Sequence, residues 1–184
     1  SGAAQKISIS AEMHISQSTK FRKAVYKIDA PFDTSKGVIV IEGNDIVIDF
    51  NYAELRGDIS VKRPDEFFGI GVLIRNSKNI TIKNLKARGF RIALIARNTE
   101  KLTVENCDFS YNYRPHLNST QEKEDISDWM SYHHNEKDEW LRYGAAMYLR
   151  GCSFFTIRNC KVTGGQNALM ITESNDGLIV NNDL

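Results

Sequence analysis

Cysteine is scarce. Cys107, Cys152 and Cys160 are the only three in 184 residues, too few for a disulfide scaffold and without the close paired spacing of a zinc site. They read as small core residues. Excess charge of either sign is also missing, with 24 Lys and Arg against 23 Asp and Glu and a formal net charge of +1. No global field therefore draws the chain to nucleic acid or to an anionic membrane, and any charged partner must be recognised locally. Long hydrophobic runs are absent. The longest, Gly37 to Ile41 and Gly69 to Ile74, are strand-sized and fall far short of the roughly 18 residues that cross a bilayer. The opening residues, Ser1 to Gln5, have neither a basic start nor an apolar segment, so a secretion signal, if the gene encodes one, is expected to have been removed. What is present is ordinary for one folded domain, with 41% apolar and 26% charged residues, enough to bury a core.

The informative feature is an internal repeat, the first thing to seek because missing one misassigns the whole fold. A short strand followed by asparagine recurs as Asn79-Ile-Thr-Ile-Lys-Asn84, Lys101-Leu-Thr-Val-Glu-Asn106, Phe154-Phe-Thr-Ile-Arg-Asn159 and Gly177-Leu-Ile-Val-Asn-Asn182. Aligned on Ile80, Leu102, Phe155 and Leu178, the copies are 22, 53 and 23 residues apart. A unit of about 22 residues is thus interrupted once by about 30 more. A degenerate copy, Asp45-Ile-Val-Ile-Asp-Phe50, lies 34 residues before Ile80, one unit plus a shorter insertion.

Within each copy the alternation is strict. Ile80 and Ile82 face inward and Thr81 and Lys83 outward, as do Leu102 and Val104 against Thr103 and Glu105, the period of a half-buried strand. A second strand precedes each copy (Gly69 to Ile74, Arg91 to Ala96, Ala145 to Leu149, Ala168 to Thr172) and a third follows the asparagine (Leu85 to Ala87, Cys107 to Phe109, Cys160 to Val162). Three short strands per coil, no intervening helix and little proline describe an all-β, triangular parallel solenoid, a β-helix of about five coils. Asn84, Asn106, Asn159 and Asn182 fall at one equivalent turn, where stacked amides can form a ladder. Turn propensity alone would also put asparagine there. Cys107 and Cys160 share a repeat position and should stack in adjacent coils.

These motifs resemble the right-handed parallel β-helix superfamily, the pectin-lyase-like fold with its short β-helix repeats. The resemblance covers about residues 37 to 184. Residues 1 to 36 read as an N-terminal cap or first coil, with strands at Ile7 to Ser10 and Ala24 to Ile28, so that residues 1-184 form a single domain. It implies a secreted or periplasmic protein directed at polysaccharide, but the superfamily also holds lyases, glycoside hydrolases, epimerases, phage tailspikes and noncatalytic surface proteins, and the fold does not choose among them.

In a solenoid, insertions mark where the chain does something besides stacking. Two, residues 58 to 67 and 111 to 143, rise from the same edge, between the third strand of one coil and the first of the next. In the family this edge and the exposed face of the first sheet resemble the place where sugar chains bind. The longer insertion holds three of the four histidines and both tryptophans. Ser119 with Glu122 reads as a capping box, and Trp129, His133, Glu136 and Trp140 are spaced along one face of a helix that Gly144 would end. The candidate catalytic residues are His133, His134, Asp138, Glu139, Arg142 and Tyr143, with Arg114, His116 and Trp140 as binding residues beside them. Arg75, Arg97 and Arg150 take one outward position of three successive coils, with Glu173 on the fourth, and Leu73, Ile95, Tyr148 and Ile171 line up beside them. Strands about 4.8 Å apart would stack the guanidinium groups in a column suited to a carboxylated or sulfated glycan, with Tyr148 as a sugar-stacking ring. Neutralisation by Glu42, Glu100 or Glu173 is the plainer account of the same arginines.

A uronate lyase or epimerase would need a cation on the carboxylate, from Arg75, Arg97, Arg142 or Arg150, and a base, from His133, His134 or Tyr143. A glycoside hydrolase would need two carboxylates, with Asp125, Asp128, Asp138 and Glu139 as candidates. No strand carries the aspartate pair of the polygalacturonases, and no family's full catalytic signature is matched. No cofactor is implied. Adjacent residues of a helix point about 100° apart, so His133 and His134 do not suggest a shared metal. The expectation is a secreted or periplasmic carbohydrate-active protein that acts on a polysaccharide or oligosaccharide as a lyase or glycoside hydrolase, with a noncatalytic binding or structural module as the alternative. Because Asn181 to Leu184 stop after a second strand, with apolar Leu178 and Val180 uncovered, further coils or a second chain are expected at that end.

Overall fold

The computed structural model describes residues 5–128 and 143–184. Twelve strands run in chain order: β1 Lys6–Ile7, β2 Met13–Ile15, β3 Thr19–Phe21, β4 Val25–Lys27, β5 Ile39–Ile41, β6 Asn44–Arg56, β7 Ile70–Arg88, β8 Ile92–Glu105, β9 Ala145–Arg150, β10 Thr156–Arg158, β11 Leu169–Thr172 and β12 Leu178–Val180. Every pairing among them is parallel. The first face of the solenoid is β2, β5, the start of β7, the start of β8, β9 and β11. The second carries β1, β3, β6, the middle of β7, β8, β10 and β12. The third carries β4 and the ends of β6 and β7, continued by single bridges at Asp108, Lys161 and Asp183.

One strand can serve several faces because a residue in the left-handed region bends it without breaking its ladder. In β7 those residues are Asn76, Asn79 and Asn84, with φ of 47°, 56° and 59°. Asn98 and Gly151 repeat the first bend, Lys101, Phe154 and Asp176 the second, and Asn106, Asn159 and Asn181 the third. Asparagine recurs because its short polar side chain tolerates this conformation better than most L-residues do. The asparagines at the third bend do not form an amide ladder. Asn84 Nδ2 donates to Asp49 Oδ1 at 2.9 Å, and no side-chain hydrogen bond joins Asn84, Asn106 and Asn159. Turn geometry, rather than stacking, selects them.

A ladder exists elsewhere, just inside the first bend. Ser77, Thr99, Cys152 and Ser174 are equivalent, and each donates to the carbonyl two residues back, of Arg75, Arg97, Arg150 and Thr172 respectively. Ser77 Oγ also accepts from Gly43 N, and Ser174 Oγ from Cys152 N, so the hydroxyls tie coil to coil.

The last coil sits one residue away from the alignment read in the sequence. Leu178 lies opposite Thr156 and Ile179 opposite Ile157, which keeps the period at 22 and makes Asn181, not Asn182, the partner of Asn159. The reason is Gly177. It takes the position under the Phe155 ring, where an added Cβ would overlap the ring, so the apolar lead residue of this coil is a glycine that hydrophobic matching passes over. Asn182 instead falls below Cys160, accepting from its N–H at 2.8 Å and donating to Ile157 O at 2.9 Å. By the same shift Thr172, not Glu173, lies opposite Arg150, and Met170, not Ile171, lies opposite Tyr148.

The interior is one continuous apolar stack from Ile9 to Val162. Phe21 and Phe50 lie ring on ring at 5.0 Å. Cys107 and Cys160 stack inside as expected and are free thiols, and burial pushes the Cys107 thiol well above its ordinary value. The outer side of the first face is also buried. Val40, Leu73, Ile95 and Tyr148 form a column with exposures of 2% or less, flanked by Ile70, Ile92 and Met170. The outer sides of the other two faces are polar. Lys20, Asp49, Lys83, Glu105 and Arg158 follow one another on the second, and Glu54, Lys86, Asp108, Lys161 and Asp183 on the third, so sign alternates at every step.

Candidate functional site

The turns joining the third face of one coil to the first face of the next carry the insertions, and residues 57–69 and 111–128 both rise from this edge. Backbone bonds dock the longer insertion: Gly89 N donates to Tyr111 O at 3.1 Å, Tyr113 N to Phe90 O at 2.9 Å and Arg114 N to Pro64 O at 3.2 Å. Asn112, buried, accepts from Phe90 N and donates to Ala87 O and Phe109 O, satisfying turn groups that would otherwise be orphaned. The Arg91 guanidinium lies 3.6 Å from the centre of the Tyr113 ring, and Arg88 lies 5.6 Å from that of Tyr111. These cation–ring contacts hold the start of the insertion against the edge.

Between the two insertions lies a cavity of about 420 Å³ whose polar lining is Arg63, Asp65, Arg114, His116 and Gln166. A neighbouring cavity of about 320 Å³ shares Pro64 and Arg114 with it and is lined by Asp58, Lys62, Arg88 and Tyr111. The acids here are already engaged. Asp58 receives Arg56 Nε and Nη2 at 3.0 and 2.9 Å, and those hydrogen bonds outweigh burial to hold its carboxyl below the ordinary value. Asp65 pairs with Arg63 at 2.7 Å. Beside the cavity, Asp128 accepts Asn118 N and Ser119 N at 2.9 and 2.6 Å, and the Asn118 bond leads the effects that keep its carboxyl low. Arg114 and Lys62, which no ion pair among the described residues engages, therefore give the edge a cationic character. Hydrogen bonds likewise hold the carboxyls of Asp33, Glu42 and Asp125 and, against burial, that of Asp49 below their ordinary values. Such groups accept hydrogen bonds and pair with cations; they are not poised to donate a proton at neutral pH.

Arg114 and His116 are the sequence-predicted residues that the structure brings together with a second insertion. The arginine column exists in register, Arg75 beside Arg97 beside Arg150. It stands at the far end of the first face, about 16 Å from the insertion edge by strand rise. Its ends are neutralised: Arg75 Nε donates to Glu42 Oε2 at 2.9 Å, and Arg150 Nη2 to Glu173 Oε1 at 3.2 Å. Tyr148 is 1% exposed, inside the outer apolar column, and presents no ring for stacking on a sugar. Tyr143 is buried at the entry to β9. His133, His134, Asp138, Glu139, Trp140 and Arg142 lie outside the described residues, as does the helix placed there. The capping box does not form. Ser119 Oγ accepts Asp125 N at 2.9 Å, Thr120 Oγ1 accepts Glu122 N and Lys123 N, and a short 3-10 turn follows at Ile126–Asp128. Arg63 and Gln166 were not singled out from sequence, although the Lys62-Arg63 pair inside an insertion was a legible signal.

Residues 24–184 match the family described as the right handed beta helix region. No curated protein matches the chain. Solved structures similar to it include a "putative glycosyl hydrolase" from Parabacteroides merdae ATCC 43184, at 12% identity with a TM-score of 0.61, covering 94% of this chain and 74% of that one. At this identity the likeness is one of fold. The chain belongs to the right-handed β-helix family.

Proposed function

We propose that this β-helix protein is directed at carbohydrate and holds an acidic oligosaccharide at the insertion edge. The observation that carries the reading is the cavity in which Arg114 and His116 of one insertion meet Arg63 of the other, with Gln166 beside them. A guanidinium takes a uronate carboxylate or a sulfate by paired N–H donors, and an amide reads neighbouring hydroxyls. The similar Parabacteroides merdae protein, named a "putative glycosyl hydrolase", supports carbohydrate as the ligand without bearing on its charge. In its catalytic form the proposal is a secreted or periplasmic lyase or hydrolase. The lyase would use Arg114 to neutralise the carboxylate and a base from His133, His134 or Tyr143 to remove the α-proton; the hydrolase would draw its acid from Asp138 or Glu139. A noncatalytic binding module is favoured by a separate observation, that the described carboxylates at this edge are held as paired anions.

The test is a panel of uronate and sulfated oligosaccharides, followed by calorimetry, unsaturated-product absorbance and reducing ends. Binding that falls about tenfold in Arg114→Ala, a loss of about 1.4 kcal/mol, supports the site. Turnover lost in His133→Ala or His134→Ala supports the catalytic form, and binding without any turnover supports the module. Binding unchanged in both Arg114→Ala and His116→Ala overturns the placement.

A further inference from the structure

The solenoid has a second groove, away from the insertion edge, where the second and third faces meet. It encloses about 550 Å³ and is lined along its length by Asn84, Asn106 and Asn159, with Tyr52 among the residues of the coil before them. We propose that this groove binds an extended, uncharged oligosaccharide of about four pyranose units, independently of the insertion edge.

Three observations carry the inference. The first is unused hydrogen-bonding capacity in a regular row. Asn106 and Asn159 make no side-chain hydrogen bond to any described residue, and Asn84 Oδ1 is buried without a partner while its Nδ2 is held by Asp49. Asn106 and Asn159, both exposed, each offer a donor and an acceptor on one rigid plane, the arrangement that two adjacent sugar hydroxyls complement, while Asn84 forms the wall beside them. Successive amides sit one coil apart, about 4.8 Å, so one pyranose ring can lie over each.

The second observation is Tyr52. Where later coils turn with a single asparagine, β6 uses three residues, Phe50, Asn51 and Tyr52, and the register slips between Asp49 and Ala53. Phe50 is fully buried and fills the core against Phe21. Tyr52 does the opposite: it is 62% exposed and has a φ of 62°, directly after Asn51 at 52°. A bulky L-residue in this region is strained by about 1–2 kcal/mol. The single asparagine of the next coil shows that the turn itself does not require the tyrosine. An exposed ring at the end of a groove is a platform for the apolar face of a sugar.

The third observation is charge. The residues lining the groove beside the amides include Lys86, Asp108 and Lys161, in register and alternating in sign, and Lys83, Glu105 and Arg158 alternate on the adjoining face. Each cation has an anion one coil away, so the groove has no single-sign field to attract a polyanion. The insertion edge is cationic, and the two sites differ in the glycan chemistry they suit.

The experiment uses the full chain in calorimetric titrations with cellotetraose, mannotetraose, xylotetraose and β-1,4-galactotetraose, and with tetragalacturonate as the charged comparison. At least one neutral tetrasaccharide should bind saturably. Tyr52→Asn, which keeps a residue suited to the left-handed region, should weaken it about tenfold, and the double change Asn106→Gly with Asn159→Gly, which removes two amides and keeps the turn, should weaken it at least as much. Circular dichroism and thermal melting confirm that the variants fold. Arg114→Ala should leave neutral binding unchanged and reduce only that of tetragalacturonate, so failure at one site is read separately from failure at the other. The proposal is overturned if no neutral tetrasaccharide binds, or if binding survives both Tyr52→Asn and the double change.

Discussion

The first face of the solenoid and the other two are built from the same coils in the same register, yet their outer sides have opposite characters. On the first face the outward column Val40, Leu73, Ile95 and Tyr148 is as buried as the interior. On the second and third, most outward positions are threonines and charges, and one column of charge on each changes sign from coil to coil. The difference follows from parallel stacking. An in-register solenoid places each side chain directly over its equivalent in the next coil, so a position either tolerates its own kind as a neighbour, as apolar residues and threonine do, or alternates. Two columns of like charge break that rule: Arg75, Arg97 and Arg150 on the first face, where Glu42 and Glu173 supply anions at the two ends, and Lys27, Arg56 and Arg88 on the third, where Asp58 and Glu54 do.

The largest effect that separates the faces is a truncation on their outer sides. Ile95→Ala should cost about 2–5 kcal/mol, as for a core residue, while Thr103→Ala on the second face should stay within about 0.5 kcal/mol; urea unfolding of both variants measures the contrast. An Ile95 variant as mild as the threonine one would mean that the outer column is not a second core. Next in size, Glu105→Lys would set a new cation between Lys83 and Arg158, giving an unbroken run of like charge, and would remove the 2.6 Å bridge from Arg158. The expected loss is about 1 kcal/mol at low salt, and it should shrink at about 1 M NaCl. A salt-independent loss would point to packing instead. The smallest effect lies at the insertion edge, where Asp58 pairs with Arg56 along the chain rather than across coils. Its folded pKa is depressed, so its contribution is present above the ordinary value of 3.8 and is lost as pH falls below that value through the folded one. Asp58→Asn should flatten the acid limb of the stability–pH curve in that window and leave stability changes above about pH 5 the same as in the parent.

The fold was legible where consecutive coils follow without interruption, as from Ile80 to Leu102, because spacing and alternation there agree. It was misread by one residue in the last coil because Gly177 holds an apolar position without being apolar. The buried outer side of the first face had a signal of its own. Gly69 to Ile74 is continuously apolar, the pattern of a strand covered on both sides, whereas simple alternation would make Tyr148 a surface ring. At the insertion edge Arg114 and His116 stood out by composition. Their meeting with Arg63 and Gln166 depends on two turns docking side by side, a tertiary event with no local spacing to announce it. Tyr52 escaped notice because its coil is the one whose turn departs from the single-asparagine pattern.

The pairing of β7 with β8 runs from Ile70 beside Ile92 to Lys83 beside Glu105 without a shift. A rod assembled this way has a quantum of growth. Copying one whole turn in place would lengthen both grooves by a single step and leave each existing neighbour where it was, whereas adding one residue within a strand would turn every later side chain to the opposite surface. Lineages of such chains are therefore free to vary in reach by multiples of about 22 residues and in chemistry at the corners, while the strands between them are held to count.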